Sequence, residues 1–451
     1  MRFFLIILIN CFLSSHLAAN PSDKAAVMDV FSESSIVADL FPSFLKNLGD
    51  IDETSFIYPE RIANQIIAMH QGFPDSHFSI FTEKGTFRVS QASHYLIHNE
   101  NLSGDQAAFL SSKGRYHPSQ NWYYYQSTFS PDTLIEQGEA IGISLEKLRQ
   151  PDVADSNSFD FTISDRVLTV KIPIMPGSLS DRHKRLLVQL EKTQEYDGII
   201  FDLRGNPGGS DALFFEISQI VRPKHYLANQ SYETRWIRSI TSQEGFVKTI
   251  QEIVDRYPDG NFELILKKHQ NILKEMRETN FQRTVEVNDW SSQLVSSKSF
   301  SPSKIALLVD ASCASACELF VGMMQNDPNV QIIGTPTKGR FKYGNASTFS
   351  FLSGKIKIRP TTIANVFRTE GDEIWGFTPN LFIVNTEDQE AAARRWATGH
   401  INSDEFVHMN AISFRNDFKV DSSQQDPRLS RDFLQDYWFI KHQVELLSIQ
   451  H

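Results

Sequence analysis

The sequence predicts an α/β fold: a parallel-sheet core, with a helical N-terminal domain ahead of it and a helical insertion within it. Three observations carry that reading. From Asp165 the chain alternates strand and helix through "DRVLTVKIPIM", "DRHKRLLVQLEKT", "DGIIFDL" and "DALFFEISQIV", the pattern of a parallel sheet covered on both faces. The alternation resumes after residue 300 with "KIALLVD", "CELFVGMMQND" and "VQIIGTP". Two of these strands run straight into turns of small residues, "RGNPGGS" and "ASCASACE", at the place where open α/β sheets bind ligands.

Taken in order, residues 1–19 have one basic residue, Arg2, an apolar run and the small pair Ala18–Ala19. That is the layout of a secretory signal peptide, so export and a mature start near Asn20 are expected. The run is short for a membrane span, and nothing later approaches that length. Residues 20–78 read as a helical domain, as in "PERIANQIIAMHQGF". Residues 79–164 are mixed, with the aromatic run "NWYYYQ" and no convincing peptide-tethering PDZ signature beyond a faint echo in "LIEQGEAIGISLEKL". The α/β core covers 165–400, its charged helical insertion falls at about 240–300, and 401–451 form a C-terminal extension. At 451 residues the chain is long enough for two or three domains.

Composition excludes some classes. Hydrophobic residues at 41% and charged residues at 22% fit a folded globular chain. A formal charge of −10 with no Lys/Arg cluster argues against a nucleic-acid partner. The 34 phenylalanines imply well-filled cores or an apolar groove. Three Asn-x-Ser triplets, at Asn101, Asn229 and Asn345, occur at chance frequency.

Chemistry centres on the two turns. Gly208 and Gly209 bring unencumbered backbone N–H groups toward a ligand. Ser315 opens a helix, whose free N–H groups favour negative charge, the environment an oxyanion requires. By itself a serine here is more commonly only a helix N-cap, and a serine nucleophile needs a base. His77 in "PDSHFSIF" is either that base or a structural turn histidine; Glu373 in "EIWGFTPN" is by default a solvated charge. His94 and His98 have the spacing of a metal pair, but no third ligand accompanies them, so no metal is expected. There is no GxGxxG, P-loop or HExxH, and no cofactor is expected. Cys313 and Cys317, the two cysteines left after signal removal, are expected to be free space-filling thiols.

"IIFDLRGNPGG", then "LLVDASCASACELFVGMMQ" and "IIGTPTKG", resemble the catalytic domain of the tail-specific (C-terminal processing) serine peptidases and their tricorn-core relatives. The resemblance spans about Asp165–Val384, with a shorter match near His77. It implies a crotonase-like/ClpP-like core, Ser315 as nucleophile, and an oxyanion hole from the Ala316 N–H and that of Gly208 or Gly209. One branch of the family uses a lysine base; Arg340 stands in that register, and Arg cannot lose its proton. Lys338 and Lys342 are near but out of step. The tricorn-like branch uses a Ser-His pair and a Glu before a G-x-x-P turn, which Ser76, His77 and Glu373 match. The resemblance thus implies a serine peptidase acting on peptides or unfolded proteins, with Asn380 standing where the family often has Asp. Family members that bind apolar ligands without cleavage make a binding module the rival expectation.

Overall fold

A computed structural model describes residues 21–70, 75, 77–88, 93–97, 102–118, 123–127, 131–147, 159–176, 179–192, 195–221, 232–256, 262–289, 304–325, 327–367 and 376–400. It begins with helices Pro21–Ser34, Ile36–Leu40, Pro42–Gly49 and Pro59–His70. Ser35 caps the second, its hydroxyl accepting from the Ala38 N–H at 3.2 Å. A hairpin follows, β1 (Ser79–Thr82) and β2 (Gly85–Arg88).

Next come β3 (Ser93–Ile97), helix Gly104–Lys113, β4 (Gly114–Pro118), β5 (Tyr123–Ser127), helix Pro131–Glu139 and β6 (Leu145–Lys147). They form an antiparallel sheet in the order β4-β5-β3-β6. The two helices and the sheet enclose a small core of Tyr95, Ile97, Leu110, Leu134, Ile143 and Leu145.

The central sheet starts with β7 (Asp160–Ser164) and β8 (Val167–Lys171). They are joined by Asp165 and Arg166, both at positive φ, the backbone that a two-residue hairpin turn demands. Then come helix Asp181–Leu190, β9 (Gly198–Asp202), helix Ala212–Val221, β10 (Tyr232–Arg238), helices Ile240–Arg256 and Glu263–Glu278, and β11 (Thr284–Asp289). The chain continues through β12 (Ile305–Val309), helix Ala316–Met324, β13 (Val330–Gly334), β14 (Tyr343–Ala346), β15 (Phe349–Phe351), β16 (Ile356–Arg359), β17 (Thr361–Phe367), β18 (Leu381–Phe382) and helix Thr386–Ala397.

The fold is α/β, as the strand–helix alternation predicts. The central sheet has the order β18-β13-β12-β9-β8-β7, parallel throughout except for β7. Period-two alternation sends Leu168, Val170, Ile199, Phe201, Ile305 and Leu307 to one face, under helices 181–190, 212–221 and 316–324. There Phe214 and Phe320 stack at 4.5 Å, a contact worth about 0.5–1.5 kcal/mol beyond its buried area. Val167, Ile200, Ala306, Leu308 and Ile333 face the other way, against Ala393, Trp396 and Ala397 of the last helix. These runs are apolar on both sides because both faces are covered.

The remaining strands build two antiparallel sheets, β11-β10-β17-β14 and β15-β16-β1-β2. The N-terminal helices pack into one core with them: Phe31, Phe44, Phe56 and Ile66 share a cluster with Phe78, Ile80, Tyr343, Phe349, Ile358 and Ala364. His70 is buried there, its ring stacked on Phe78 at 3.6 Å and edge-on to Phe44 at 4.5 Å. Among the described residues no helix is long and apolar enough to cross a membrane.

One expectation is overturned: Cys313 and Cys317 are joined by a disulfide. The four-residue step at a helix start puts their Cα atoms 5.4 Å apart, inside the range a disulfide spans.

Candidate active site

Asp202 ends β9 and Val309 ends β12, neighbouring parallel strands, so their two turns leave the same edge of the sheet side by side. Asp310 holds them together. Its carboxylate accepts the Gly205 N–H at 3.0–3.1 Å across the gap and the Ser312 N–H at 2.9 Å within its own turn. Burial raises its carboxyl while these donors pull it back down. The Ala314 N–H donates to Asn206 O at 3.1 Å. Arg204 anchors the glycine turn to the last helix through Asp202 and Glu390, each at 2.7 Å.

Asn206 is fully buried. Its amide donates to Ile172 O and its Oδ1 accepts the Gly208 N–H, both at 2.8 Å. The Gly208 N–H is therefore used internally. Gly208 O accepts from the Met175 N–H at 2.9 Å. Gly208 has φ +98°, and a Cβ there would lie 2.6 Å from Ala314 O, 2.9 Å from Ser315 Cβ and 3.1 Å from Ala316 N. Glycine is what lets this turn close onto the serine turn. The N–H groups of Gly209 and Ala316 make no hydrogen bond among the described residues.

Ser315 is half-buried at φ +56° and ψ −119°, a backbone region costly for any residue but glycine. It stands at the N-terminus of helix Ala316–Met324. Glu318, one turn on, over-determines the conformation. Fully buried, it accepts from the Ser315 N–H at 3.1 Å, the Thr337 hydroxyl, the Gly339 N–H and the Arg340 N–H, the last three at 2.6 Å. Four donors match the four lone-pair sites of a carboxylate. Burial raises its carboxyl and these bonds oppose the rise. Glu318 thereby ties the serine turn to the loop after β13. Lys338 of that loop donates its N–H to Cys313 O at 2.9 Å. Burial first, then Arg340 and Arg88, push the Lys338 amine down to about 8, against the pull of Glu318 and Asp310.

His77 lies in the turn before β1. Asp75 builds that turn: its Oδ1 accepts the His77 N–H at 3.2 Å and the Phe78 N–H at 3.0 Å, and its Oδ2 accepts from the Thr361 hydroxyl of β17 at 2.5 Å. Burial pushes Asp75 up to about 7. Burial, then Arg340 and Arg88, push His77 down to about 3. The charges of Arg340 and Arg88 thus act on both His77 and Lys338, and Arg340 is bonded to the carboxylate that holds Ser315. Among the described residues His77 Nδ1 is buried with no hydrogen-bond partner, and no hydrogen bond joins His77 to Ser315.

The family model for peptidase family S41 matches residues 166–382, which contain both turns, the helices and strands between them and the loop bonded to Glu318. Through these residues the chain resembles peptidase family S41. It is a serine-type peptidase, and its substrates are peptides or proteins. No curated protein matches the chain. Among solved structures it is similar to a Parabacteroides merdae protein assigned as a peptidase, with 13% identity over 83% of this chain and 92% of that one and a TM-score of 0.40. It is also similar to a Streptococcus agalactiae lipoprotein (13%, 84% and 96%, TM-score 0.37) and to the photosystem II D1 C-terminal processing protease (11%, 82% and 92%, TM-score 0.37).

Gly208 packs so closely on the serine turn that an added Cβ would meet Ser315 and Ala316. Gly208 and Gly209 are distinguished by the Asn206 bond, which leaves Gly209 as the one of the two whose N–H is free among the described residues. Ser76 and Glu373 lie outside the described residues, as does His98, and of the His94 side chain nothing is described. Among the described residues no group of three metal-ligating side chains occurs. Asn380 is structural: its Oδ1 accepts the Ile332 N–H at 2.9 Å, fastening a turn to β13. Glu318, Asp310 and Asp75 are the residues that sequence reading left without roles. The Ser-x-x-Glu spacing of Ser315 and Glu318 is a capping-box signal that points to the first of them.

Proposed function

We propose that the protein is an exported endopeptidase that cleaves peptides or unfolded proteins with Ser315 as nucleophile and His77 as general base. Ser315 Oγ gives its proton to the neutral imidazole and bonds to the scissile carbonyl carbon. The oxyanion that forms accepts from the N–H groups of Ala316 and Gly209. The imidazolium then protonates the leaving amine as the C–N bond breaks, and water repeats the sequence in reverse to free the acid. Ser76 and Glu373 are assigned the task of orienting the imidazole. The observation that carries the reading is Ser315 itself, held at positive φ beside Gly208 with two N–H groups unused among the described residues. Burial and two guanidiniums keep His77 neutral and therefore able to accept a proton, though they also make it a weak acceptor.

Lys338 gives a second reading. A half-buried amine lowered to about 8, held by its backbone to Cys313 O, has the properties of a lysine base. Export rests on the signal-like residues 1–19. A silent binding module is the remaining alternative.

The test is cleavage of an unstructured protein by Ser315→Ala, His77→Ala, Glu373→Gln, Lys338→Ala and Lys342→Ala at matched folding. Loss of nucleophile or base costs on the order of a millionfold, and loss of an orienting partner less. Ser315→Ala and His77→Ala are expected to be dead, Glu373→Gln reduced and both lysine variants active. A dead Lys338→Ala beside an active His77→Ala moves the base to Lys338. An inert wild type leaves the binding module.

A further inference from the structure

The disulfide brackets the nucleophile. Cys313 precedes Ser315 by two residues and Cys317 follows it by two, so the bond closes a short ring with Ser315 at its apex. Both half-cystines are fully buried, and each is fixed to a different part of the site. Cys313 donates its N–H to Asp310 O at 3.0 Å and accepts the Lys338 N–H at 2.9 Å. Cys317 donates its N–H to Ala314 O at 3.1 Å, and its Sγ lies 4.0 Å from Leu203 O, where the glycine turn begins. The ring thus touches the serine turn, the glycine turn and the Lys338–Arg340 loop from beneath, on the core side.

We propose that the Cys313–Cys317 disulfide is a positioning element for Ser315, so that the peptidase has full turnover only when the pair is oxidised. This rests on Ser315 being the nucleophile. Ser315 occupies a sparsely populated backbone region, and such conformations persist only where the surroundings over-determine them. Glu318 holds the turn from the helix side, and the disulfide fixes the chain on both sides of the serine at once. The bond lies under the turn, so its loss acts on the placement of Oγ and the Ala316 N–H, not on the surface that meets a peptide. Displacement of a reacting group by about 1 Å can cost on the order of a hundredfold. The expected signature is therefore a fall in kcat with KM little changed.

The chemistry is a two-electron exchange. A dithiol gives two electrons and two protons to the protein disulfide and becomes a cyclic disulfide, while Cys313 and Cys317 become two thiols. Because the bond is fully buried, the protein is reduced by dithiothreitol in denaturant, refolded with dithiol present, and compared with a sample refolded and reoxidised. Intact mass reports the state of the pair, and circular dichroism reports folding. The reduced, folded enzyme is expected to lose at least about tenfold in kcat, and its rate of labelling by a fluorophosphonate serine probe is expected to fall in parallel. Reoxidation restores both. A Cys313→Ala/Cys317→Ala variant should match the reduced enzyme and ignore dithiol. Equal turnover in reduced and oxidised enzyme overturns the proposal, as does an active preparation in which both thiols are free. An oxidised enzyme that neither cleaves nor labels overturns the Ser315 assignment instead.

Discussion

Ser315 carries backbone strain, and the Glu318 carboxylate holds its N–H there. Ser315→Ala is therefore expected to fold with a melting temperature near that of the wild type. Glu318→Ala differs, because it leaves two buried and two part-buried donors without their acceptor, each buried one costing about 1–3 kcal/mol before relaxation. A denaturant titration should show a loss of several kcal/mol; a loss under 1 kcal/mol would mean that the carboxylate is not what holds the turn. The pH dependence of kcat/KM separates the bases. A base must be neutral, and a His77 held near 3 is neutral throughout pH 5–9, so it contributes no limb there. A limb near 6.5, as an unperturbed histidine would give, is not expected. A Lys338 base near 8 would make activity rise about tenfold per unit below 8 and level off above it. Ser315, Ala316 and the glycine pair were legible in the sequence because small residues after apolar strands announce a turn that must close tightly. Asp310 and Asp75 were not, because their partners Gly205 and Thr361 are distant in sequence. The disulfide was not legible either, since a four-residue spacing suits free thiols and a bridge alike.

At the scale of elements, the central strands were readable from their apolar runs, and the helices between them from their length. The strands β10, β11 and β14–β17 were not, since their pairing joins segments on both sides of the helices at 240–278. "YETRWIR" and "TVEVND" are partly polar and gain their burial only from those partners. Two glycines show how closely the elements approach. A Cβ on Gly198 of β9 would lie 2.4 Å from Ala397 O, so Gly198→Ala must displace the last helix. Overpacking of this kind costs about 1–3 kcal/mol, read as a lower melting temperature with catalysis retained. Gly208→Ala should do the reverse: its Cβ meets the serine turn itself, so kcat should collapse while the fold survives. If both variants behave alike, the division between sheet packing and site packing is wrong.

Across the whole molecule, the N-terminal helices share a core with the β1, β14 and β15–β17 strands, and His77 immediately precedes Phe78 of that core. His70 makes this core sensitive to acid. Burial pushes it down to about 3 from an ordinary 6.5, with a hydrogen bond to the Ile66 backbone opposing the shift. Its folded value is depressed, so the unfolded chain binds the extra proton between those limits. The stability it contributes is complete above 6.5 and is lost as pH falls toward 3, by roughly 1.4 kcal/mol per unit. His70→Phe should flatten the fall in melting temperature over that window, and parallel curves for variant and wild type would refute the account. The claim on which the rest depends is that Ser315 is an activated nucleophile. Peptide mapping after reaction of the wild-type enzyme with a fluorophosphonate probe tests it directly. One adduct is expected, on Ser315 and absent from Ser315→Ala; an unlabelled wild type, or an adduct that persists in Ser315→Ala, would contradict the Ser315 assignment.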